Sequence, residues 1–393
     1  MTRAVLRLSL MGLWLTLLCA PSVQAQEDGE VHVTHLASFR VVTVADNLEN
    51  PWSMAFLPNG DMLVTERPGR LRIMRNGVLQ AEPIDGVPTV RARGQGGLLE
   101  VALHPDFAQN RLIYLTYSKP NADASEGTTA LVRGRFDGRR LTNVEELFEA
   151  KAWSTGGSHF GSRIQFDGNG YLFMTVGDRG ASPDPATVNS HPAQDLSNHQ
   201  GTVIRLHDDG RVPEDNPFVG RRGALPEIWS YGHRNLQGLA IHPETGDLWN
   251  DEHGPQGGDE LNLVLPGRNY GWPVIGYGLQ YGGSVIHSST HAEGMEQPRH
   301  YWVPSIATSG LLIYTGDAFQ GWKGSFFVGG LAGQQLARVT LDGQRVTGEE
   351  TVLEGVGRIR DIRQGPDGFI YLAIDARRAG TTPILRLEPI QGN

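Results

Sequence analysis

The segment Phe166-Asp167-Gly168-Asn169-Gly170-Tyr171-Leu172-Phe173 combines a tight turn with a short apolar strand. Asp-Gly and Asn-Gly pairs favour hairpin turns, because glycine readily adopts the positive φ that such turns need. The turn and strand occur in six copies along the chain, anchored at Leu63, Ile113, Leu172, Leu248, Phe326 and Ile370. A recurring unit of this kind indicates a protein built from repeated small sheets.

The composition and the spacing of these copies specify the fold class. The chain has 51 glycines, 23 prolines and no long helical period, so it lacks the alternation of strands and helices of an α/β protein. Sheets stacked radially bury each unit against its neighbours and leave only short edges. We therefore predict an all-β fold, a six-bladed β-propeller of four-stranded antiparallel blades.

Two further features follow from the repeat. The anchors are 50, 59, 76, 78 and 44 residues apart, and this uneven spacing predicts long loops at 179–200, 211–226 and 276–300. Residues 39–44 alternate like a strand before the first copy. We expect this segment to complete the last blade and close the ring, which would otherwise keep unpaired edges.

The first 25 residues have the features of a secretory signal peptide. Two arginines precede an uncharged apolar run at 8–20, and a small-residue pattern follows at 23–25. We expect its removal to leave 26–393 as a single propeller domain, located in the periplasm or outside the cell. A retained membrane anchor is the alternative, although the run is about five residues shorter than a spanning helix requires.

The mature chain would contain no cysteine, because Cys19 lies inside that segment. It would have neither a disulfide nor a thiolate nucleophile, and a metal would need oxygen or imidazole ligands. Loss of the segment removes two arginines and no acid, which moves the formal charge from −9 to −11. An acidic chain argues against nucleic acid or an anionic membrane as a partner. We predict neither, and no membrane span in the mature chain.

Glycine-rich segments with polar side chains lie beside the repeat strands, at 93–97, 156–161, 231–235 and 251–260. His159 lies where an imidazole could reach a cavity and act as a base near neutral pH, and a buried or surface histidine is the alternative. Arg234 and Asn235 could hold a carboxylate or polarise a carbonyl, or could form a salt bridge between blades. Gln95 is compatible with a binding residue and with an ordinary turn residue.

Two charged segments point to ligands. Arg358 and Arg360 alternate along a strand, so their like charges share a face and repel unless an anion lies between them. A solvated outer face is the alternative. The acidic, glycine-rich segment 251–260 could supply the carboxylates and carbonyls that calcium prefers, or could be an acidic solvated loop.

Several long strings in this order resemble the soluble sugar dehydrogenases that depend on pyrroloquinoline quinone (PQQ), most closely the aldose sugar dehydrogenase branch. They include GQGGLLEVALHPDF (94–107), SHFGSRIQFDGNGYLFMTVGDRG (158–180), EIWSYGHRNLQGLA (227–240), DEHGPQGGDELNLV (251–264), GRNYGWP (267–273) and GRIRDIRQGPDG (357–368). The resemblance covers nearly all of the mature chain. The family fold is a six-bladed propeller, which agrees with the repeat count.

The resemblance also implies residue roles. His159 would be the general base that takes the proton from the anomeric hydroxyl, while hydride passes to the quinone. Arg234 and Asn235 would contact the quinone end of PQQ, and Arg358 and Arg360 would bind its carboxylates. The other implied cofactor residues are Gln95, Tyr281, Gly330, Leu331 and Ala332.

Two calcium ions are implied in the same way. The active-site ion would be held by the backbone carbonyls of Gly254 and Pro255 and by the cofactor, and it would polarise the quinone oxygen. A second, structural ion would use Glu260 and the carbonyl of Tyr270, together with Asp259.

The sequence departs from the family at two places. Relatives carry a lysine that reaches the cofactor from the loop equivalent to 330–335, where this chain has Leu331-Ala332-Gly333. One cationic contact is therefore missing, which would lower PQQ affinity or leave more of it to Arg358 and Arg360. Residue 253 is histidine, as in the aldose branch, so glucose specificity is not implied.

The expected activity is oxidation of aldose sugars to lactones, with the electrons passed to an external quinone or redox protein. The chain has no Cys-x-x-Cys-His motif for covalent haem, so the electrons must leave to another molecule. A calcium-dependent lactone hydrolase and a non-catalytic binding propeller are the alternatives. The preferred sugar, the physiological acceptor and the choice between monomer and homodimer stay open.

Overall fold

The computed structural model describes residues 30–378 and 380–390, so the predicted signal peptide at 1–25 lies outside the described residues. Six antiparallel sheets account for nearly all of the regular structure, which confirms the predicted six-bladed β-propeller. The described helices are one short α-helix, α1 (Phe107–Asn110), and 3-10 turns at Val188–Ser190, Pro192–Gln194 and Gln320–Trp322. None of the helices in these residues is long and apolar enough to cross a membrane.

The strands are numbered in chain order, and five of the blades use four consecutive strands each. The strands before the first blade are β1 (Val31–Val33) and β2 (Ser38–Glu49). Blade 1 consists of β3 (Pro51–Phe56), β4 (Met62–Glu66), β5 (Arg70–Arg75) and β6 (Val78–Leu79). Blade 2 consists of β7 (Leu98–Leu103), β8 (Leu112–Pro120), β9 (Gly127–Phe136) and β10 (Leu141–Glu149). Blade 3 consists of β11 (Ile164–Phe166), β12 (Tyr171–Val176), β13 (Thr202–His207) and β14 (Ile228–Tyr231).

The remaining blades follow the same order. Blade 4 consists of β15 (Leu236–Ile241), β16 (Leu248–Glu252), β17 (Asp259–Leu263) and β18 (His300–Trp302). Blade 5 consists of β19 (Thr308–Ile313), β20 (Phe326–Gly330), β21 (Gln335–Asp342) and β22 (Arg345–Glu354). Blade 6 begins with β23 (Arg358–Gln364), β24 (Ile370–Asp375) and β25 (Thr381–Pro389).

Strand β2 closes the ring. It pairs antiparallel with β25, with Val41 opposite Leu387 and Thr43 opposite Leu385, and β1 adds a fifth strand outside it. The prediction that residues 39–44 complete the last blade is confirmed. Joining strands from the two ends of the chain in one sheet leaves no gap in the ring.

Each of the six sequence anchors lies in the second strand of its blade. Successive side chains of a strand point to opposite faces, so each second strand contributes to two interfaces between blades. In blade 1, Leu63 packs with Ile113 of blade 2, whereas Val64 packs with Ala373 of blade 6. The same division recurs around the ring, and six apolar clusters join the six blades. Full burial of each large apolar side chain contributes roughly 1.5–3 kcal/mol.

A buried ion network joins the innermost strands. The guanidinium of Arg163 donates hydrogen bonds to Glu100 (2.9 Å) and Asp361 (2.7 Å). It also donates to the carbonyls of Gln237 (2.5 Å) and Arg360 (2.9 Å). Because these partners belong to blades 2, 4 and 6, one side chain next to β11 ties four blades together.

The three long loops lie where the spacing predicts them. Residues 179–200 connect β12 to β13, residues 211–226 connect β13 to β14, and residues 276–300 lead from β17 to β18.

Candidate active site

The predicted site residues lie at one end of the ring of first strands. The first and second strands of a blade are antiparallel, so the start of one meets the end of the other. The site residues that begin or precede first strands are Gln95, His159, Asn235 and Arg358, and those that follow or end second strands are Gly254, Pro255 and Gly330. Segments that are far apart in the sequence therefore share one surface.

The predicted base, His159, is held by its backbone and its ring. Its Nδ1 lies 2.6 Å from Oδ1 of Asp178, and its side chain is 13% exposed. Its backbone N–H donates to Oε1 of Gln95 (2.8 Å), and its φ of 52° is in the left-handed region. With Nδ1 committed to Asp178, Nε2 is the nitrogen that can accept a proton.

The carboxylate of Asp178 is fully buried, and both of its oxygens take part in hydrogen bonds. Oδ1 also accepts from the backbone N–H of Gly180 (2.8 Å), and Oδ2 accepts from Nε1 of Trp272 (2.8 Å). Burial opposes ionisation of this carboxyl, but the charge and hydrogen bond of His159 and the charge of Arg234 outweigh it and lower the pKa of Asp178. An ionised carboxylate then stabilises the protonated ring of His159.

Close backbone packing explains the glycines around the base. Gln95 donates its backbone N–H to the carbonyl of Gly157 (2.7 Å). A Cβ on Gly94 would lie 2.5 Å from that carbonyl oxygen, and one on Gly157 would lie 2.8 Å from the carbonyl oxygen of Arg93. Segments 93–97 and 156–161 can lie against each other only because they lack these side-chain atoms.

Arg234 lies beside the predicted calcium ligands. Its backbone N–H donates to Oε2 of Glu252 (2.6 Å), and its guanidinium donates to the carbonyls of Gly254 (2.8 Å) and His253 (3.2 Å). Its Nε is buried without a hydrogen-bond partner among the described residues. The guanidinium thus donates to a carbonyl that the resemblance assigns to calcium.

Asn235 links this segment to the His159 segment. Its Oδ1 accepts from Nε2 of Gln237 (3.1 Å) and from the backbone N–H of Gly161 (3.4 Å). Its Nδ2 lies 3.4 Å from Nδ1 of His253. The structure therefore brings Arg234, Asn235 and the base into one continuous arrangement.

Arg358 and Arg360, which were predicted to have an anion between them, share the carboxylate of Asp375. Oδ2 of Asp375 lies 3.4 Å from Nε of Arg358 and 3.7 Å from Nη2 of Arg360. Arg67, which the sequence reasoning missed, lies 3.9 Å from Oδ1 of the same carboxylate. Three guanidinium groups around one carboxylate leave an excess positive charge, which fits a polyanionic ligand.

One arginine of this cluster, Arg360, lines a cavity together with Gln95. Its other lining residues are Trp52, Leu99, Phe160, Gly161 and Gln237. Nε of Arg360 is buried without a hydrogen-bond partner among the described residues. Burial lowers the pKa of Arg360 to about 10, so it stays charged near neutral pH.

The remaining predicted cofactor residues differ in their placement. The carbonyl of Leu331 accepts a hydrogen bond from Arg358 (3.0 Å), and Gly330 and Ala332 flank it. The ring of Tyr281 is 68% exposed on the loop before β18, so it is not enclosed in the site. Among these residues, the backbone of Leu331 has a direct hydrogen bond to the arginine cluster.

The predicted second cation site adjoins Arg234. A cavity here is lined by residues that include Glu252, Gly254, Pro255, Glu260 and Tyr270. Glu252 and Glu260 are opposite each other on β16 and β17, and Nδ2 of Asn262 donates to both (3.1 Å each). Burial and the charge of Glu252 raise the pKa of Glu260 to about 8. Two buried carboxylates beside a cavity fit a cation.

Asp259, predicted as a ligand of the second ion, accepts hydrogen bonds from protein donors in this structure. Its oxygens accept from the backbone N–H groups of Gly254 (2.9 Å) and Ala307 (2.6 Å) and from the hydroxyl of Ser305 (2.8 Å). These contacts fix the Gly254-Pro255 turn. No cluster of three or more His, Cys, Asp or Glu ligands occurs in residues 30–378 and 380–390, so a cation here would also need carbonyls or water, which calcium accepts.

Sequence reasoning missed five residues that contact the predicted site residues or their partners. They are Arg67, Asp178, Glu252, Trp272 and Asp375. Asp178, Glu252 and Asp375 share one signal, an acidic residue at or just after the end of a second strand. That position relative to the repeat could have identified these three as facing the site.

Known proteins resemble the chain over nearly all of its length. A model of the glucose / sorbosone dehydrogenase family matches residues 48–386. Aldose sugar dehydrogenase YliI of Escherichia coli is 43% identical over 345 residues, which cover 86% of this chain and 91% of that protein.

Two solved structures have the same fold. The apo form of the soluble aldose sugar dehydrogenase from Escherichia coli matches with a TM-score of 0.83 and 41% identity, covering 90% of this chain and 100% of that one. The PQQ-bound form of aldose sugar dehydrogenase from Streptomyces coelicolor matches with a TM-score of 0.71 and 29% identity, covering 90% and 99%.

Proposed function

This chain belongs to the glucose / sorbosone dehydrogenase family, and we propose that it oxidises aldose sugars at the anomeric carbon to lactones, with PQQ and calcium as cofactors. The electrons then pass to an external acceptor. The observation that carries the proposal is that the His159–Asp178 pair is joined through Gln95 to a cavity lined by Arg360, one of three arginines that share the carboxylate of Asp375.

His159 supplies the base. Its Nε2 takes the proton of the anomeric hydroxyl, and the ionised carboxylate of Asp178 stabilises the imidazolium that forms. The hydrogen bond from His159 N–H to Gln95 and the positive φ of His159 fix the backbone from which the imidazole ring extends. A base held on both sides is already oriented when the sugar binds.

The arginine cluster would hold the cofactor. PQQ, when bound, supplies the quinone carbon that accepts the hydride. Arg358, Arg360 and Arg67 carry the positive charge that its carboxylates need, and Asp375 keeps these side chains together. Gln95 lines the same cavity as Arg360 and can donate a hydrogen bond from its amide. Arg67 thus takes the part of the family lysine that is absent from 331–333.

Calcium would bind on the side of Arg234. The carbonyls of Gly254 and Pro255 and, at the second site, Glu260 and the carbonyl of Tyr270 would be its ligands, and calcium would act as a Lewis acid at the first site. Asp259 holds the turn that presents Gly254. Arg234 and Asn235 would stabilise the negative charge that develops on the oxygen of the carbonyl that accepts the hydride.

The test is an absorbance titration of the apo-protein. PQQ should bind in the presence of calcium with a change in its spectrum, and an aldose should then reduce it. A variant with both Arg358→Gln and Arg360→Gln should bind PQQ weakly, while H159N should bind it but not react with sugar. Absence of a spectral change with PQQ would contradict the proposal, and lactone cleavage without PQQ would favour a hydrolase.

A separate proposal concerns the amino-terminal segment. Residues 1–25 would be a removed signal peptide, and 26–393 the mature single-domain enzyme, periplasmic or secreted. Amino-terminal sequencing of the protein from fractionated cells tests this. A first residue of Gln26 in the periplasmic or secreted fraction is the expected result, and an intact amino terminus in the membrane fraction would overturn it.

A further inference from the structure

We propose that Trp272 is a positioning residue that holds both His159 and Arg234 for the reaction. This role rests on the proposed sugar oxidation, because it concerns the base and the cation of that chemistry. Trp272 lies in the connection between β17 and β18, outside any strand, and its side chain reaches the segments that carry both groups.

The first link runs through a carboxylate. Nε1 of Trp272 donates to Oδ2 of Asp178 (2.8 Å), whose Oδ1 lies 2.6 Å from Nδ1 of His159. A planar carboxylate held at one oxygen by an indole N–H cannot rotate without losing that bond. The direction of the Asp178–His159 hydrogen bond therefore depends on the position of the indole.

The second link is a cation–π contact. The guanidinium carbon of Arg234 lies 5.2 Å from the centroid of the Trp272 ring, within the range at which a cation is attracted to an aromatic face. The same guanidinium donates to the carbonyl of Gly254. The ring face of Trp272 thus borders the cation, while its N–H edge sets the carboxylate behind the base.

Trp272 can fix other residues because it is itself fixed. Its backbone N–H donates to the carbonyl of Gly232 (2.8 Å), and its own carbonyl accepts from Nε2 of Gln194 (2.7 Å). The rings of His191 and His287 contact it edge to face, at centroid distances of 6.2 and 5.6 Å. The residue is 7% exposed. These contacts on several sides hold Trp272 in place although it does not lie in a strand.

Four charged or titratable groups lie around the His159–Asp178 pair. The charged and titratable groups that face Asp178 or His159 are Arg179, His191, Arg234 and His253. Burial lowers the pKa of His191, and burial together with the charge of Arg234 lowers the pKa of His253 well below its usual value. Burial lowers the pKa of Arg179 only to about 9. Because Nε1 of Trp272 donates to Asp178, a difference in the acidic limb between the wild type and a Trp272 variant reports on the His159–Asp178 pair.

The test is Trp272→Phe, which keeps a ring and removes the N–H donor. We expect kcat to fall by roughly 10- to 100-fold with KM and PQQ affinity unchanged, because the base is misplaced while the binding groups stay. Without the indole donor, the carboxylate of Asp178 interacts more strongly with the protonated ring of His159. The protonated form of the base then persists to higher pH, so the acidic limb of the kcat profile should move to higher pH. Trp272→His, which restores a ring N–H, should recover part of kcat.

The matched control is Trp229→Phe. Trp229 packs edge to face against Phe173 in the blade 3 sheet, and its Nε1 is buried without a partner among the described residues. This change should leave kcat and the pH profile as in the wild type. A W272F enzyme with a wild-type kcat and pH profile would overturn the proposal.

A second readout works on the apo-protein. Proton NMR should show a low-field resonance for the Nδ1–H of His159, and W272F should shift or broaden it. A resonance identical in W272F would overturn the role of Trp272. Should W272F fail to fold, Gln194→Met, which releases the Trp272 carbonyl, gives the same comparison. If the wild type shows this resonance but does not react with sugar and PQQ, the proposed function fails while the effect on the Asp178–His159 pair is still decided.

Discussion

Nδ1 of His159 lies 2.6 Å from Oδ1 of Asp178, and the two residues lie on either side of strands β11 and β12 of the same blade. This hydrogen bond fixes the ring tautomer and leaves Nε2 free to act as the base. The other oxygen of Asp178 is bound to Trp272 from the following blade. The orientation of the base therefore depends on two blades and on the interface between them.

Replacement of the base should abolish turnover without releasing the cofactor. His159→Asn is the suitable change, because asparagine tolerates the positive φ that this residue adopts. We expect kcat to fall by roughly 10²- to 10⁴-fold, the usual contribution of a general base. Stopped-flow reduction of bound PQQ by an aldose measures the step directly. His104→Asn, at a second His–Asp pair beside Asp208, is the control and should stay active. Rapid reduction in H159N would assign the base elsewhere.

The lowered pKa of Asp178 should make stability depend on pH. A carboxyl whose pKa is lower in the folded state stabilises the fold above its unfolded value of about 3.9, and the effect is lost as the pH falls through the folded pKa. The difference in unfolding free energy between the wild type and Asp178→Asn should therefore be largest near neutral pH and shrink below about pH 4. Urea titrations across this range measure it. Asp46→Asn, at an exposed site, should give a small, pH-independent difference.

Local chemistry explains why the fold was predictable. Asn-Gly or Asp-Gly turns precede the second strands of blades 1, 3 and 6, and adjacent residues such as Leu63 and Val64 face two different blades. The closing strand β2 was recognisable because its residues alternate. Strand β1 was not predicted, because it has three residues at a sheet edge, of which Val31 and Val33 are exposed, and so leaves no pattern of buried residues.

The site was only partly predictable, for a physical reason. His159 and Arg234 were found because polar residues among glycines are conspicuous within one segment. The partners Asp178 and Asp375 have one sequence signal, their place at or just after the end of a second strand, whereas Trp272 lies in a loop and its contacts with Asp178 and Arg234 exist only in the folded ring. An anion between Arg358 and Arg360 was expected, but its identity as Asp375 depends on the pairing of β23 with β24.

The arginine cluster should set PQQ affinity, and Arg67 should contribute although no sequence motif marks it. Arg67→Gln removes one of three positive charges and leaves Asp375 with two partners. A charged hydrogen bond contributes about 1.5–3 kcal/mol, so the Kd should rise roughly 10- to 100-fold. Fluorescence titration of the apo-protein at low and high salt measures it. Arg345→Gln, on an exposed pair with Asp342, should leave the Kd unchanged. An unchanged Kd in R67Q would exclude Arg67 from the cofactor site.

The Arg163 network should stabilise the ring as a whole. Arg163→Met leaves the carboxylates of Glu100 and Asp361 buried with one partner fewer. Breaking a buried pair on one side typically costs about 3–5 kcal/mol of unfolding free energy. Denaturation by urea should show this loss, while Arg345→Met at the surface should change stability by less than about 0.5 kcal/mol. Equal stability of the two variants would mean that the network is not a tie between blades.

Calcium should stabilise the protein through Glu260. This carboxylate shares the amide of Asn262 with Glu252, and the two acids border a cavity with Tyr270. A divalent cation relieves their repulsion and binds only the folded chain, so calcium at a hundredfold excess over its Kd should add about 2.7 kcal/mol of stability. Thermal unfolding of the apo-protein with and without calcium measures the gain. Glu260→Gln should lose most of it, and Glu293→Gln, on the exposed loop, should keep it. Magnesium, which demands a tighter octahedral shell, should stabilise less. The same calcium-induced gain in E260Q as in the wild type would remove Glu260 from the ligand set.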